Sequence, residues 1–250
     1  MRPPERTQVA ADTAAGLMSR SWKASTARAS KGAHRAALAT VAALARLAFV
    51  VIAKLKISDA DVRPVAGRGV IIAINHRSML DFFVATIACQ RWGLSPHTFA
   101  RGDFFTRPVL GRALTLLGAI PAGRGRGAAV TLRLAREVLR EGGVITIAPE
   151  GRVVAADQRP DGLGELRAGI GVMSSRHGTP ILLTAIRNTD KAWPVGRRTP
   201  VLHPPWNRPT ITVAVTWMEV QAGTSPSAVT GQVAGGLRAL LDIAERSPTS

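Results

Sequence analysis

A chain of 250 residues with 46% hydrophobic content can bury a substantial core, which excludes disorder along its whole length and fits one α/β domain with an appendage. Its 33 Lys and Arg against 16 Asp and Glu leave a formal charge of +17, so its partner class is anionic: nucleic acid, anionic lipid or a phosphorylated small molecule. Tyr is absent and Phe and Trp are few; single-strand readers stack bases on aromatic rings, so no specific nucleic acid is expected.

Residues 1–35 scatter Arg and Lys among small residues without strong periodicity, the pattern of a basic flexible arm. Residues 36–53, AALATVAALARLAFVVIA, are apolar apart from Arg46 and a threonine, and Lys54 and Lys56 follow. A helix of this length reaches roughly 27 Å, just under the roughly 30 Å hydrocarbon thickness. An in-plane interfacial helix, a core helix and a true span all compete for it. Arg46 near the middle disfavours the span, and the two lysines favour an anionic surface. Residues 36–56 are therefore expected to associate with a membrane, leaving 57–250 as one domain.

Beyond residue 68 short Ile- and Val-rich runs at 69–75, 144–149, 181–186 and 210–217 read as strands. Helical patterns fall at 79–90, 107–117, 127–141, 166–176 and 226–246. The alternation predicts an α/β fold, a mostly parallel mixed sheet flanked by helices with the apolar helix before it. Reactive loops then gather at the carboxyl ends of the strands. The Pro- and Arg-rich stretch 187–209 reads as a long surface loop. Cys89, the one cysteine, sits in an apolar helical context and is assigned to packing.

The polar cluster in INHRSMLDFF (74–83) directly follows the first of these strands. Inside one helix His76 and Asp81 would lie about 140° apart. They meet only if His76 stays in the loop and Asp81 opens the helix. Ser78 followed by Asp81 has capping-box spacing for a helix beginning at 79. By spacing alone the cluster reads more readily as a helix cap with a turn histidine than as an active site, because a lone His and Asp are a weak signal.

Four blocks in order extend beyond this cluster: NHRSMLDFF (75–83), GAIPAGRGRG (118–127), APEGR (148–152) and HGTPILLTAI (177–186). Together they resemble the glycerolipid acyltransferase superfamily, the 1-acylglycerol-3-phosphate acyltransferases, whose first block is His-x4-Asp. The resemblance implies transfer of a fatty acyl group from an acyl thioester (acyl-coenzyme A or acyl-acyl carrier protein, a cosubstrate rather than a cofactor) to the hydroxyl of a lysolipid acceptor such as 1-acylglycerol-3-phosphate. It also implies a catalytic His76 and Asp81 and an acceptor site using Arg124, Glu150, Gly151 and Arg152. In the third block Arg152 stands one position before the family's usual Arg, whose place Val153 holds, and Thr184 stands where the fourth block commonly has Pro.

A neutral imidazole can take the proton of an alcohol as its oxygen attacks a thioester carbonyl, and a carboxylate on the other ring nitrogen fixes the tautomer. His76 is thus the expected general base and Asp81 its orienting partner. The acceptor hydroxyl is itself the nucleophile, and no Gly-x-Ser-x-Gly elbow is found. Guanidinium groups suit phosphate, which makes Arg124 the leading ligand, with Arg126 and Arg152 behind it. Arg167 lines the same cleft or a solvated helix face. Glu150 contacts acceptor hydroxyls, orients a guanidinium or joins a buried ion pair. The Gly-rich stretches lack a dinucleotide fingerprint and no P-loop is present. The dispersed histidines have no acidic or Cys cluster at ligand spacing, so no metal is expected. The expected location is the cytoplasmic face of the cell membrane. The competing readings are the same fold acting on another lysolipid or glycolipid alcohol, and a basic membrane- or nucleic-acid-binding protein without catalysis.

Overall fold

The computed structural model describes residues 31–58, 62, 67–123, 126–159 and 161–246. Seven strands form one sheet: β1 (Lys54–Ile57), β2 (Val70–Ile74), β3 (Pro96–Arg101), β4 (Ile120–Ala122), β5 (Val144–Ile147), β6 (Ile181–Arg187) and β7 (Thr210–Met218). Their order is β1-β7-β6-β2-β5-β3-β4, and every pairing is parallel except β6 with β7. The helices are α1 (Lys31–Ile52), α2 (Leu80–Arg91), α3 (Pro108–Leu116), α4 (Arg126–Arg140), α5 (Gly169–Ser174), α6 (Thr189–Ala192) and α7 (Pro226–Arg246). The mostly parallel mixed sheet flanked by helices is the architecture that the alternating pattern predicts.

Strand β2 shows why its sequence is an unbroken apolar run. All five of its residues are buried, and successive side chains point to opposite faces. Val70, Ile72 and Ile74 enter a core with Phe49 of α1 and Val84 and Ile87 of α2. Ile71 and Ala73 enter another with Leu134 of α4, Ile170 of α5 and Val233 and Leu237 of α7. A strand covered on both faces has no solvent side to encode as polar residues.

Three strands lie outside the sequence expectation. Lys54 and Lys56 belong to edge strand β1, whose exposed lysines alternate with half-buried Leu55 and Ile57 as it pairs with β7. β4 is the opposite edge strand, only three residues long, and β3 lies between it and β5; both contain Pro, which leaves little β-pattern to detect. The apolar helix begins at Lys31 and ends at Ile52, so residues 31–35 are helical and 54–56 are not. Residues 1–30 of the expected arm lie outside the described residues. The 187–209 stretch carries α6 and a 3₁₀ turn at Pro205–Asn207.

Helix α1 has two apolar faces. Leu38, Ala42, Ala45 and Phe49 are buried in a stripe at three- and four-residue spacing, packed against α2. Leu44, Leu47, Val50 and Val51 lie outside that stripe and are exposed. The helix is long and apolar enough to cross a membrane by length and composition, with 22% of its most apolar window buried.

Candidate active site

Parallel pairing places the ends of three neighbouring strands together. β2 lies between β5 and β6 in the same direction, so the segments leaving all three emerge at one edge of the sheet. His76 and Asp81 follow β2, Glu150 follows β5 and Thr189 follows β6. Asn75 fixes the departure point of the first segment. Its side-chain amide donates to the Ile186 carbonyl at 2.8 Å, and its oxygen accepts the Ile186 N–H at 2.7 Å. This fully buried asparagine continues the ladder to β6 through its side chain.

The chain then turns, with His76 in the loop and Asp81 in the first turn of α2. His76 Nδ1 is 2.9 Å from Asp81 Oδ2. The same oxygen accepts the backbone N–H groups of Arg77 at 2.6 Å and Ser78 at 2.8 Å. Asp81 Oδ1 accepts the hydroxyl of buried Thr189 at 2.6 Å. Asp81 is fully buried, and these four partners compensate for the water it lost. With Nδ1 facing a carboxylate, the imidazole proton belongs on Nδ1 and the lone pair on Nε2. Nε2 has no hydrogen-bond partner among the described residues, and the His76 side chain retains 23% exposure.

The capping expectation is met in altered form. α2 begins at Leu80, and the Ser78 hydroxyl accepts the Leu80 N–H at 3.2 Å while donating to the Trp193 carbonyl at 2.7 Å. Asp81 returns the reciprocal bond to the Ser78 N–H, so one carboxylate both caps the helix and holds the imidazole.

Glu150 stands beneath the loop. Its Oε2 accepts the His76 backbone N–H at 2.5 Å and its Oε1 accepts the Gly164 N–H at 2.7 Å. Burial pushes its carboxyl above the ordinary range, opposed by those two hydrogen bonds. Both oxygens are engaged by main chain, so Glu150 clamps the loop that carries His76 to the 162–164 segment. The His76 carbonyl in turn accepts the Val154 N–H at 2.9 Å.

Gly151 turns the chain away from Glu150 with φ +70°, and a Cβ there would lie 2.7 Å from Arg167 Nε. That close approach brings Arg167 over the Glu150-Gly151 turn, where Arg152 is also exposed. Arg124 lies outside the described residues, and Arg126 opens α4. Behind the loop, buried Arg77 donates from Nη2 to the Gly162 carbonyl at 2.6 Å. Buried Arg159 pairs with Asp190 of α6. Burial first, and then the Arg159 charge, lower the Arg77 pKa.

Sequence reasoning did not single out Thr189, Asn75 or Arg159. The position of Thr189 just after the fourth block was the one available signal, but a contact across 108 residues has no periodicity to betray it.

The arrangement presents an oriented imidazole at the carboxyl ends of the strands, its Nε2 without a partner among the described residues, a geometry that suits proton abstraction from an alcohol. The sequence model of the Acyltransferase family matches residues 54–187, a span that contains His76, Asp81 and Glu150. No curated protein matches the chain by sequence. Among solved structures, the chain is similar to the 1-acyl-sn-glycerophosphate (LPA) acyltransferase PlsC from Thermotoga maritima. The TM-score is 0.69 at 17% identity, covering 85% of this chain and 81% of that one. The two proteins share a fold, and by the match across more than half its length this chain belongs to the acyltransferase family.

Proposed function

We propose that the protein moves a fatty acyl group from an acyl thioester to the hydroxyl of a lysolipid, most simply 1-acylglycerol-3-phosphate, giving phosphatidic acid. The observation that carries this reading is the His76–Asp81 pair with Nε2 left open. His76 Nε2 takes the acceptor hydroxyl proton while that oxygen attacks the thioester carbonyl. The C–S bond then breaks, and the departing thiolate takes the proton back from the imidazolium. Asp81 stabilises that imidazolium and stays ionised, as the third member does in a serine-hydrolase triad. The thioester is a cosubstrate, and neither metal nor cofactor enters a step.

The acceptor phosphate is read by guanidinium groups, Arg124 and Arg152 by resemblance, with Arg167 placed over Gly151. The outward apolar face of α1 and the +17 charge support work at an anionic bilayer surface, on the cytoplasmic side where thioester donors are made. A second reading, the same chemistry on another lysolipid or a glycolipid, is favoured by Val153. It is a half-buried apolar residue in the place of the family's usual Arg.

Purified protein is given a matrix of acyl-coenzyme A and acyl-acyl carrier protein donors against lysophosphatidic acid, other lysolipids and phosphate-free alcohols, with products read by mass spectrometry. Transfer to lysophosphatidic acid that vanishes in His76→Ala is the expected result. Wild-type turnover by His76→Ala sinks the mechanism, and preference for a phosphate-free acceptor selects the second reading.

A further inference from the structure

Two apolar surfaces stand exposed among the described residues, and Arg208 ties one to the other. One is the outer face of α1, including Leu47, Val50 and Val51. The other lies in the segment between α6 and β7, where Trp206 is 84% exposed, Leu202 72% and Val195 50%. Large apolar side chains standing singly in solvent are common, but a tryptophan this exposed beside further apolar groups marks an interaction site.

The segment is ordered by its own hydrogen bonds. Val201 N–H donates to the Ala192 carbonyl at 2.8 Å, Trp193 Nε1 to the Arg197 carbonyl at 2.9 Å, and Asn207 N–H to the Pro204 carbonyl at 2.9 Å. It is tied to both functional regions of the chain. Arg208 donates from Nη1 to the Val50 carbonyl in the last turn of α1, and the Trp193 carbonyl accepts the Ser78 hydroxyl in the catalytic loop. The segment therefore bridges the end of α1 and the mouth of the active site.

Its charge selects the occupant. Lys191, Arg197, Arg198 and Arg208 fall within residues 191–209, and no Asp or Glu does. Apolar tips on a segment whose charged residues are all cationic complement a layer of anionic headgroups over hydrocarbon. Tryptophan is the side chain that prefers that boundary, with an apolar body and one polar N–H.

We propose that residues 193–208 form a second membrane contact, separate from α1, in which Trp206 and Leu202 insert into the interface of an anionic bilayer beside the active-site mouth. This rests on the surface-bound reading of the protein given above, and adds a wedge that fixes which way the mouth faces. An in-plane helix alone leaves the domain free to roll about the helix axis; a contact off that axis removes the freedom.

The full chain is sedimented with vesicles of phosphatidylcholine alone and mixed with phosphatidylglycerol. Trp206→Ser combined with Leu202→Ser is expected to lower the partition onto the mixed vesicles about tenfold or more, given the apolar area withdrawn. Because the pair sits on the surface, folding is checked independently with Trp206→Phe. This variant should stay bound but lose much of the fluorescence quenching that vesicles with brominated acyl chains cause in the wild type. Equal partition of the double variant, or unchanged quenching in Trp206→Phe, overturns the proposal. Wild-type protein that ignores vesicles yet transfers acyl groups overturns surface attachment and the wedge together. Loss of the catalytic reading through an active His76→Ala leaves the wedge standing.

Discussion

His76 and Asp81 are five positions apart in sequence, yet the imidazole Nδ1 and the carboxylate Oδ2 stand 2.9 Å from each other. On one continuous helix they would point about 140° apart; the chain reaches this contact because the helix starts only at Leu80. Asp81→Asn keeps the shape but leaves an amide to hold the ring, which can favour the wrong tautomer. We expect kcat to fall by roughly three to four orders of magnitude, the scale of the same change in the serine-protease triad. His76→Ala should remove the general-base contribution, roughly 10²- to 10⁴-fold. Steady-state turnover with a thioester donor and a lysolipid acceptor checks both.

Thr189 contributes the remaining hydrogen bond to Asp81, at 2.6 Å and wholly buried. Thr189→Val keeps the volume and removes the donor. A hydrogen bond to a charged group contributes about 1.5–3 kcal/mol, so kcat should drop about ten- to a hundredfold while KM is retained. Thr189→Ser, which restores the hydroxyl, should recover most of the rate. A parallel rise in KM, or no rescue by serine, would instead mean that α6 has collapsed.

Glu150 gives a pH signature. Its carboxyl pKa is raised by burial in the folded protein above the ordinary value of 4.5. The folded state therefore holds the proton to higher pH than the unfolded chain does. Below the unfolded value the protonated form contributes its full stability, and that contribution is lost as pH rises through the folded pKa. Glu150→Gln carries no titrating group and should lack this component in denaturant titrations from pH 4 upwards. It should also be slow in turnover, because its NH₂ confronts one of the two N–H donors, of His76 or Gly164, that the carboxylate accepts.

Cys89 is buried on α2 and its thiol is pushed up to about 12 by burial, with the neighbouring Thr146 side chain opposing the shift. Thiolate is the reactive form, so native protein at pH 8 should resist alkylation. Modification should track unfolding across a denaturant series, with intact-mass spectrometry as the readout.

What the sequence by itself determined is whatever local pattern encodes. The four apolar strands at 69–75, 144–149, 181–186 and 210–217 all correspond to strands of the sheet: β2 and β6 are apolar runs because both their faces are buried, while β7 alternates buried with partly exposed residues. The five helical patterns correspond to α2, α3, α4, α5 and α7 with ends shifted by up to three residues, and the His76–Asp81 pairing followed from the one local geometry that lets the two meet. Tertiary structure alone decided the rest. β1 and β4 are short edge strands and β3 is the Pro-containing strand inside β4, all three held by pairing with neighbours rather than by a pattern of their own. Glu150 has the motif spacing of a substrate ligand, yet both its oxygens are held by backbone N–H groups 74 and 14 residues away in sequence. Thr189 reaches Asp81 only because β6 lies parallel beside β2. A hydrogen bond between strand ends is set by register across the sheet, and register is a property of the folded chain, not of any window along it.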